Sequence, residues 1–134
     1  MSDLEHAREM LAIARRDLRA LTGMKDSETF ADEVFGFQAQ QVVEKALKAW
    51  LSLKGVAYPW THDLEVLLKL VKSTHELVPA FLDSLLDLTD FAVEFRYEFM
   101  EQVGGPLDRD KLIQQVTAVI QHVEERISEK ETRK

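Results

Sequence analysis

Four polar side chains on one predicted helix have the types and the spacing to hold an anion: Gln41, Glu44, Lys45 and Lys48. Offsets of three, four and seven residues place them within one arc of an α-helix. The two ammonium groups could bind a phosphate or a partner's acidic groups, and the amide could add directed hydrogen bonds. A solvated helix face explains the same residues equally well, so both interpretations stay open.

A histidine in the sequence Thr-His-Asp-Leu, residues 61–64, is the second candidate. Pro59 cannot continue a helix and Thr61 is expected to cap the next one, which places His62 near a helix N-terminus. An imidazole there could contact a bound anion or donate a proton. A locally hydrogen-bonded histidine is the favoured interpretation, because no catalytic partner stands nearby in the sequence. The other histidines, His6, His75 and His122, are expected at the surface.

Acidic side chains recur along the predicted fourth helix, where carboxylates could bind Mg²⁺. No histidine interleaves with them, and the sequence has none of the Glu-x-x-His pairs typical of di-iron bundles. We therefore predict a solvated acidic face, with no metal and no cofactor. The acidic residues are Asp83, Asp87, Asp90, Glu94 and Glu101.

Arg96 and Tyr97 follow an apolar run in the same predicted helix and form the last candidate pair. An arginine in so aromatic a neighbourhood is expected either to pair with an acid, such as Glu44 or Glu94, or to be aimed at a ligand. The two interpretations carry equal weight. No glycine-rich phosphate loop, nucleophile elbow or zinc-binding spacing accompanies these residues.

The composition limits the classes of function that the chain can have. The 134 residues suit one domain spanning 1–134, with a charged tail at 128–134 that we expect to fray. A net charge of −7 argues against non-specific binding of nucleic acid, which needs a basic surface. The chain has no cysteine, no signal-peptide pattern and no apolar run long enough for a membrane helix. These features predict a cytoplasmic protein without membrane contact.

Apolar side chains recur at three- and four-residue spacing in five segments, which predicts five helices. The chain contains only 5 Gly and 3 Pro, and this scarcity of turn residues argues against an all-β fold. The predicted helices span about 3–22, 28–54, 61–73, 79–102 and 108–127. The sequence therefore predicts one all-α domain, a four- to five-helix bundle.

The second predicted helix is apolar on two sides. A long stripe that begins at Phe35 faces one way, whereas Phe30, Val34 and Phe37 project from nearly the opposite side. A helix that is apolar on two sides is expected to be buried on two sides. The first half of this helix should therefore be central in the bundle or should meet a second subunit, as in a homodimer.

The second helix and the Thr-His-Asp-Leu segment together resemble a HEPN domain, a helical domain often encoded beside a minimal nucleotidyltransferase. The resemblance holds in order and spacing from about residue 4 to residue 97. Its most specific part is Gln-x-x-Glu-Lys-x-x-Lys-Ala followed by Thr-His-Asp-Leu. The matching residues are Phe37, Gln41, Glu44, Lys45, Leu47, Lys48, Ala49, Gly55, Pro59, Thr61, His62, Asp63, Leu64, Leu67, Leu68, Arg96 and Tyr97.

The resemblance implies an antiparallel up-and-down bundle, commonly dimeric and associated with nucleotide binding and toxin–antitoxin pairs. Many family members are ribonucleases that use an arginine, four to six intervening residues and a histidine. Here Arg96 is followed by Tyr-Glu-Phe-Met-Glu-Gln-Val, and no arginine has a histidine at that spacing. Glu98 also stands where the family usually has proline after Arg-Tyr. The resemblance implies a groove for a nucleotide or a partner at Gln41, Glu44, Lys45, Lys48, His62, Arg96 and Tyr97.

Three hypotheses follow from these observations. The leading one is a HEPN-like subunit that binds a nucleotide, a nucleotidyltransferase partner or both, without catalysis of its own. The alternative is a metal-independent endoribonuclease of the HEPN toxin type that uses Arg96 and His62, since residues distant in sequence can meet in space. The third is a structural homodimer joined through the side of Phe30, Val34 and Phe37, and it is compatible with the first.

Overall fold

A computed structural model describes residues 2–93 and 107–132 of the chain. The described residues form helices and contain no strand, which confirms the predicted all-α bundle. The elements are α1 (Asp3–Thr22), α2 (Asp32–Leu53), α3 (Leu64–Lys72), a 3₁₀ helix (Ala80–Leu88), α4 (Thr89–Val93) and α5 (Arg109–Thr132).

α2 is the central helix and packs against every other element of the described bundle. The stripe that begins at Phe35 is buried along its whole length, including Trp50 near the C-terminal end. On the opposite side Val34 and Phe37 are exposed in the single chain. The sequence therefore predicts the buried stripe of this helix correctly, but Phe30, the third member of the second apolar side, precedes α2 and is partly buried.

α1 and α5 cover α2 and run in opposite directions. Arg15 Nε donates to Glu124 Oε1 at 2.8 Å, and Arg8 pairs with Glu131. Later residues of α1 therefore contact earlier residues of α5, as in any antiparallel helix pair. The valine and isoleucine side chains of α5 from Val116 to Ile127 are buried in the core. α5 continues to its last described turn, so residues 128–132, which we expected to fray, are helical.

The C-terminus of α2 closes in a Schellman motif, which aims the following loop. The Gly55 N–H donates to the Ser52 carbonyl and the Val56 N–H to the Leu51 carbonyl, both at 3.0 Å. Gly55 has a φ of 69°, a left-handed conformation that a side chain would strain. The predicted end of the second helix is therefore confirmed, and the loop beyond it carries Thr-His-Asp-Leu.

Arg109, at the start of α5, holds the loop between α1 and α2 from inside. Its guanidinium donates to the carbonyls of Met24 and Phe30 at 2.7 and 2.6 Å, and to Asp32 Oδ1 at 2.8 Å. It also lies over the Phe35 ring, 4.8 Å from the centroid. We call these groups the Arg109 cluster. The burial of this arginine was not predicted, because nothing in the sequence around it indicates a buried residue.

Two predicted helix starts are wrong. α2 begins four residues later than predicted, at Asp32, because the Asp26 carboxylate accepts bonds from the Glu28 N–H and the Thr29 hydroxyl and holds a turn there. Asp63, not Thr61, caps α3: its carboxylate accepts from the Glu65 N–H at 2.9 Å. The Thr61 hydroxyl instead accepts from the Asp63 N–H at 3.0 Å.

The predicted fourth α-helix is wrong in its first half, which is a 3₁₀ helix from Ala80 to Leu88. Three residues per turn replace 3.6, so carboxylates spaced for one α-helical face no longer align. Asp83 pairs with Lys72 at 3.3 Å. The expected acidic stripe therefore does not form over Asp83 and Asp87, and its members Glu94 and Glu101 lie outside the described residues.

None of the helices in the described ranges combines the length and the apolar character that crossing a bilayer requires.

Candidate functional site

Several predicted site residues on α2 belong to a group of hydrogen-bonded polar side chains that lies partly inside the bundle. We call Gln40, Gln41, Glu44, Lys48 and His62 the Glu44 cluster. The first four lie on α2, and His62 lies in the loop before α3. Hydrogen bonds connect all five side chains. The two halves of the sequence pattern, separated by the end of α2, therefore meet in space.

Glu44 is the centre of the cluster and is only 3% exposed. Its Oε1 accepts from Gln40 Nε2 at 3.0 Å and from His62 Nδ1 at 2.8 Å, and its Oε2 accepts from Lys48 Nζ at 3.0 Å. Burial alone would raise the pKa of this carboxyl, but the three donors together outweigh burial and lower the pKa below its usual value. Glu44 is therefore a stable buried carboxylate at neutral pH.

Gln40 connects the Glu44 carboxylate to the loop that carries His62. This residue was not predicted from the sequence. Its side chain is fully buried, and Nε2 also donates to the His62 backbone carbonyl at 2.9 Å. Gln41 Nε2 donates to Gln40 Oε1 at 2.7 Å, so the amide is satisfied on both sides. The available signal was the i, i+4 spacing of Gln40 and Glu44 on an apolar helix. Gln40 thus fixes the position of His62 through the backbone.

His62 is oriented by Glu44 and opens to solvent. Its Nδ1 must donate, because the carboxylate of Glu44 can only accept. The side chain is 48% exposed, which directs the rest of the ring outward from a buried anchor. The partner that the sequence did not reveal is therefore Glu44, eighteen positions earlier on α2. A carboxylate that fixes the tautomer of a histidine is an arrangement suited to binding an anion or moving a proton.

Lys48 connects the cluster to two aromatic rings of the loop. Its Nζ lies 5.6 Å from the centroid of Tyr58 and 5.9 Å from that of Trp60, within the range of cation–π attraction. Trp60 is 94% exposed, whereas Trp50 is fully buried. The ammonium group of Lys48 on α2 therefore lies close to the exposed indole of Trp60 on the loop.

A comparison with protein-family models matches residues 7–126 to the HEPN domain. The chain belongs to the HEPN domain family. The match spans most of the chain and extends past the segment on which the resemblance first rested. Searches among curated proteins and among solved structures give no match. The family match thus agrees with the helical fold. The most specific part of the HEPN resemblance supplies residues of the Glu44 cluster, whose side chains are joined by hydrogen bonds.

Lys45 is not brought into the cluster of this HEPN domain. It pairs with Asp17 on α1, away from Lys48 and His62. The carboxylate of Asp17 is mostly buried, so this ion pair joins α1 to α2. Of the two lysines predicted for the site, the structure places Lys48 on the Glu44 carboxylate and Lys45 in a helix–helix contact.

Arg96 and Tyr97, the remaining predicted site residues, lie outside the described residues. Glu44 is one of the acids expected from the sequence to pair with Arg96. Within the described ranges the partners of Glu44 are Gln40, Lys48 and His62. Both carboxylate oxygens therefore already accept at least one hydrogen bond.

Across residues 2–93 and 107–132, no three acidic or histidine side chains gather in a way that could hold a metal ion. Glu44 and His62 form a pair, and their neighbour Lys48 adds a positive charge where a cation would have to sit. The described part of this site is therefore suited to anions and to proton transfer.

Proposed function

We propose that this chain is a cytoplasmic HEPN subunit that binds a nucleotide at the Glu44 cluster and has no catalytic activity of its own. The proposal rests on the buried Glu44 carboxylate, which holds the side chains of Lys48 and His62 in fixed positions through hydrogen bonds. Donors that are already oriented need little ordering when an anion arrives, and this lowers the free-energy cost of binding. The phosphate of a nucleotide is the anion that suits both groups.

A single nucleotide fits the charge of the protein better than a nucleic-acid chain does. The net charge is −7, so a long polyanion would meet general repulsion away from the cluster. A compact ligand with one phosphate group or a few needs only a local positive region. Lys48 would supply that region, and Gln41 could donate to a base or a ribose.

The direct test measures thermal stability with a panel of nucleotides on the wild type, Lys48→Ala and Lys45→Ala. A nucleotide at 100 times its dissociation constant should stabilise the fold by about 2.7 kcal/mol, a shift of several degrees. Lys48→Ala should abolish the shift. Lys45→Ala is the matched control, because it removes the same charge three positions away, where Asp17 holds it. A shift that Lys45→Ala abolishes and Lys48→Ala preserves would refute the proposed location.

We also propose that the biological partner is a minimal nucleotidyltransferase, in a toxin–antitoxin type of pair. This proposal rests on the family membership, because HEPN domains are often encoded beside such enzymes. Co-expression with any minimal nucleotidyltransferase encoded beside this chain, followed by purification through a tag on one chain, would test it. The two proteins should co-elute, and separate elution at micromolar concentration would contradict the proposal.

We propose further that two copies associate through the side of α2 that carries Val34 and Phe37. Both side chains are exposed, and they lie three residues apart on one helix face. Phe37→Asp should convert a dimer into a monomer in light-scattering measurements, and Glu33→Ala is a control on a partly exposed neighbour. A wild-type protein that is already monomeric would refute this interface.

A second function, metal-independent cleavage of RNA, is favoured by one contact, the bond between His62 and Glu44 at 2.8 Å. A carboxylate that orients a histidine is typical of general acid–base catalysis. In this alternative Arg96 would stabilise the phosphate in the transition state. RNA cleavage that survives both His62→Ala and Arg96→Ala would exclude it.

A further inference from the structure

Trp60 is the most exposed large apolar side chain among the described residues, at 94%. Exposing an indole forgoes the large stabilisation that burying it would bring. The same chain buries its other tryptophan, Trp50, completely. Isolated exposed apolar residues are common, so exposure alone decides nothing. The surroundings of Trp60 are more informative.

The loop that carries Trp60 is held on both sides, so the indole projects from a fixed base. On one side the ring of Pro59 restricts the backbone, and the Tyr58 hydroxyl lies 3.3 Å from His6 Nε2 on α1. On the other side the buried Gln40 holds the His62 carbonyl at 2.9 Å. An aromatic ring on a fixed loop can receive a flat partner without paying to order the loop.

The groups beside Trp60 are polar and cationic. Lys48 Nζ lies 5.9 Å from its ring centroid, and the half-exposed His62 follows two positions later. A ligand that fills this place should combine a flat aromatic part with a negative charge. A nucleoside phosphate has both, and bases stack on aromatic side chains whatever their sequence. An apolar peptide would leave the ammonium and the imidazole without suitable partners.

We infer that Trp60 is a stacking platform for the base of the bound nucleotide, while the phosphate lies toward Lys48 and His62. The inference rests on the proposed nucleotide binding and adds to it a residue and a mode of recognition. Stacking reads the area of a ring more than its hydrogen-bonding pattern. The site should therefore accept all common bases, and purines should bind more tightly than pyrimidines.

Tryptophan fluorescence separates this inference from the proposed function. Only Trp50 and Trp60 emit, and Trp50 is fully buried. Titration with AMP, GMP, CMP and UMP should quench the wild type, and Trp60→Phe should lose the quenching while keeping most of the affinity. Trp60→Ala should weaken AMP binding by about tenfold, the order of one lost base–aromatic stack. Ribose 5-phosphate, which has no base, should bind Trp60→Ala and the wild type equally.

The outcomes are distinguishable. Thermal stabilisation by AMP that Trp60→Ala leaves unchanged, without quenching, would overturn the stacking inference and leave nucleotide binding at the cluster intact. No thermal shift and no quenching in the wild type would overturn both proposals. An equal loss of AMP and ribose 5-phosphate binding in Trp60→Ala would also overturn stacking, because the substitution would then act on the loop. Loss of transferase co-elution in Trp60→Ala, without any nucleotide response, would make Trp60 a protein contact instead.

Discussion

The Arg109 cluster and the Glu44 cluster solve the same physical problem in two ways. Each places a charged group inside an apolar bundle, with Arg109 only 7% and Glu44 only 3% exposed. A buried charge is costly unless hydrogen bonds and an opposite charge replace its water. Both residues meet this requirement with three hydrogen bonds to described partners.

The partners of the two groups differ in what lies beyond them. Arg109 donates to two backbone carbonyls of the α1–α2 connection and to Asp32, the first residue of α2. Glu44 accepts from Lys48 and His62, and the second of these reaches solvent. The first network therefore joins α5 to the α1–α2 connection, whereas the second holds a half-exposed histidine in a fixed geometry. A buried charge suggests a functional site only when its hydrogen-bond network includes a side chain that is largely exposed to solvent.

The largest expected effect is that of Arg109→Ala. Removing the guanidinium leaves the Asp32 carboxylate and two carbonyls without their donor, which should cost about 3 kcal/mol of folding free energy. Urea denaturation measures this loss. Arg15→Ala is the control, because its exposed ion pair with Glu124 should contribute less than about 1 kcal/mol.

The same variant also tests the difference between the two clusters. Arg109→Ala that is kept folded at low temperature should bind a nucleotide with the wild-type dissociation constant. A large loss of affinity in the folded variant would show that the two networks are coupled, and the comparison would fail.

Gly36→Ala tests the stretch of α2 that separates the two clusters. Gly36 lies four residues after Asp32 and four before Gln40, and a Cβ there would come within 2.6 Å of the Phe91 ring. Alanine normally stabilises a helix by about 1 kcal/mol relative to glycine, but this overlap should outweigh the gain and give a net loss of about 1–2 kcal/mol. Gly23→Ala, which meets only the Ala20 carbonyl at 3.4 Å, should be nearly neutral. Thermal denaturation compares the two, and a Gly36→Ala protein as stable as wild type would show that Phe91 moves freely.

Glu44→Gln should cost about 1–2 kcal/mol, because an amide cannot accept from Lys48 and from the other two donors at once. It should also change the pH dependence. The pKa of Glu44 is lower in the folded state than its usual 4.5, so its contribution is complete above that value and is lost as the pH falls through the folded-state pKa. Chemical denaturation between pH 7 and 3 should show a shallower acid slope in Glu44→Gln. Equal slopes in both proteins would mean that Glu44 is not the buried carboxylate described here.

The sequence predicted what depends on helical periodicity and missed what depends on neighbouring helices. The buried stripe of α2 follows from spacing alone. Lys45 and Lys48 fall within one predicted arc, yet α1 supplies Asp17 to the first, and the carboxylate one turn earlier on α2 holds the second. Gln40 was not predicted, because one of its partners, the His62 carbonyl, is twenty-two residues away. The 3₁₀ helix escaped prediction for a related reason, since the three-residue spacing of its buried Leu82, Leu85 and Leu88 fits both helix types.

His122 is a titratable group whose pKa is governed mainly by burial. It packs on Trp50 with ring centroids 4.9 Å apart, and among the described residues its buried Nε2 has no hydrogen-bond partner. Burial and the nearby Arg126 lower its pKa from the ordinary 6.5, although Glu125 acts in the opposite direction. The unfolded chain therefore binds a proton more readily than the folded one does. Stability should be complete above pH 6.5 and decline as the pH falls toward the folded-state pKa.

The corresponding variant is His122→Phe, which keeps an aromatic ring on Trp50 and removes the titration. Its effect at pH 8 should be the smallest of the series, while the decline in stability just below pH 6.5 should become shallower than in the wild type. Unfolding in urea at closely spaced pH values measures both. His62→Phe is the informative counterpart, since it should remove the nucleotide-induced thermal shift that His122→Phe preserves. If His122→Phe removed the thermal shift and His62→Phe preserved it, the site would lie beside Trp50. The contrast between His62, which is bonded to a carboxylate, and His122, which is governed by burial, would then fail.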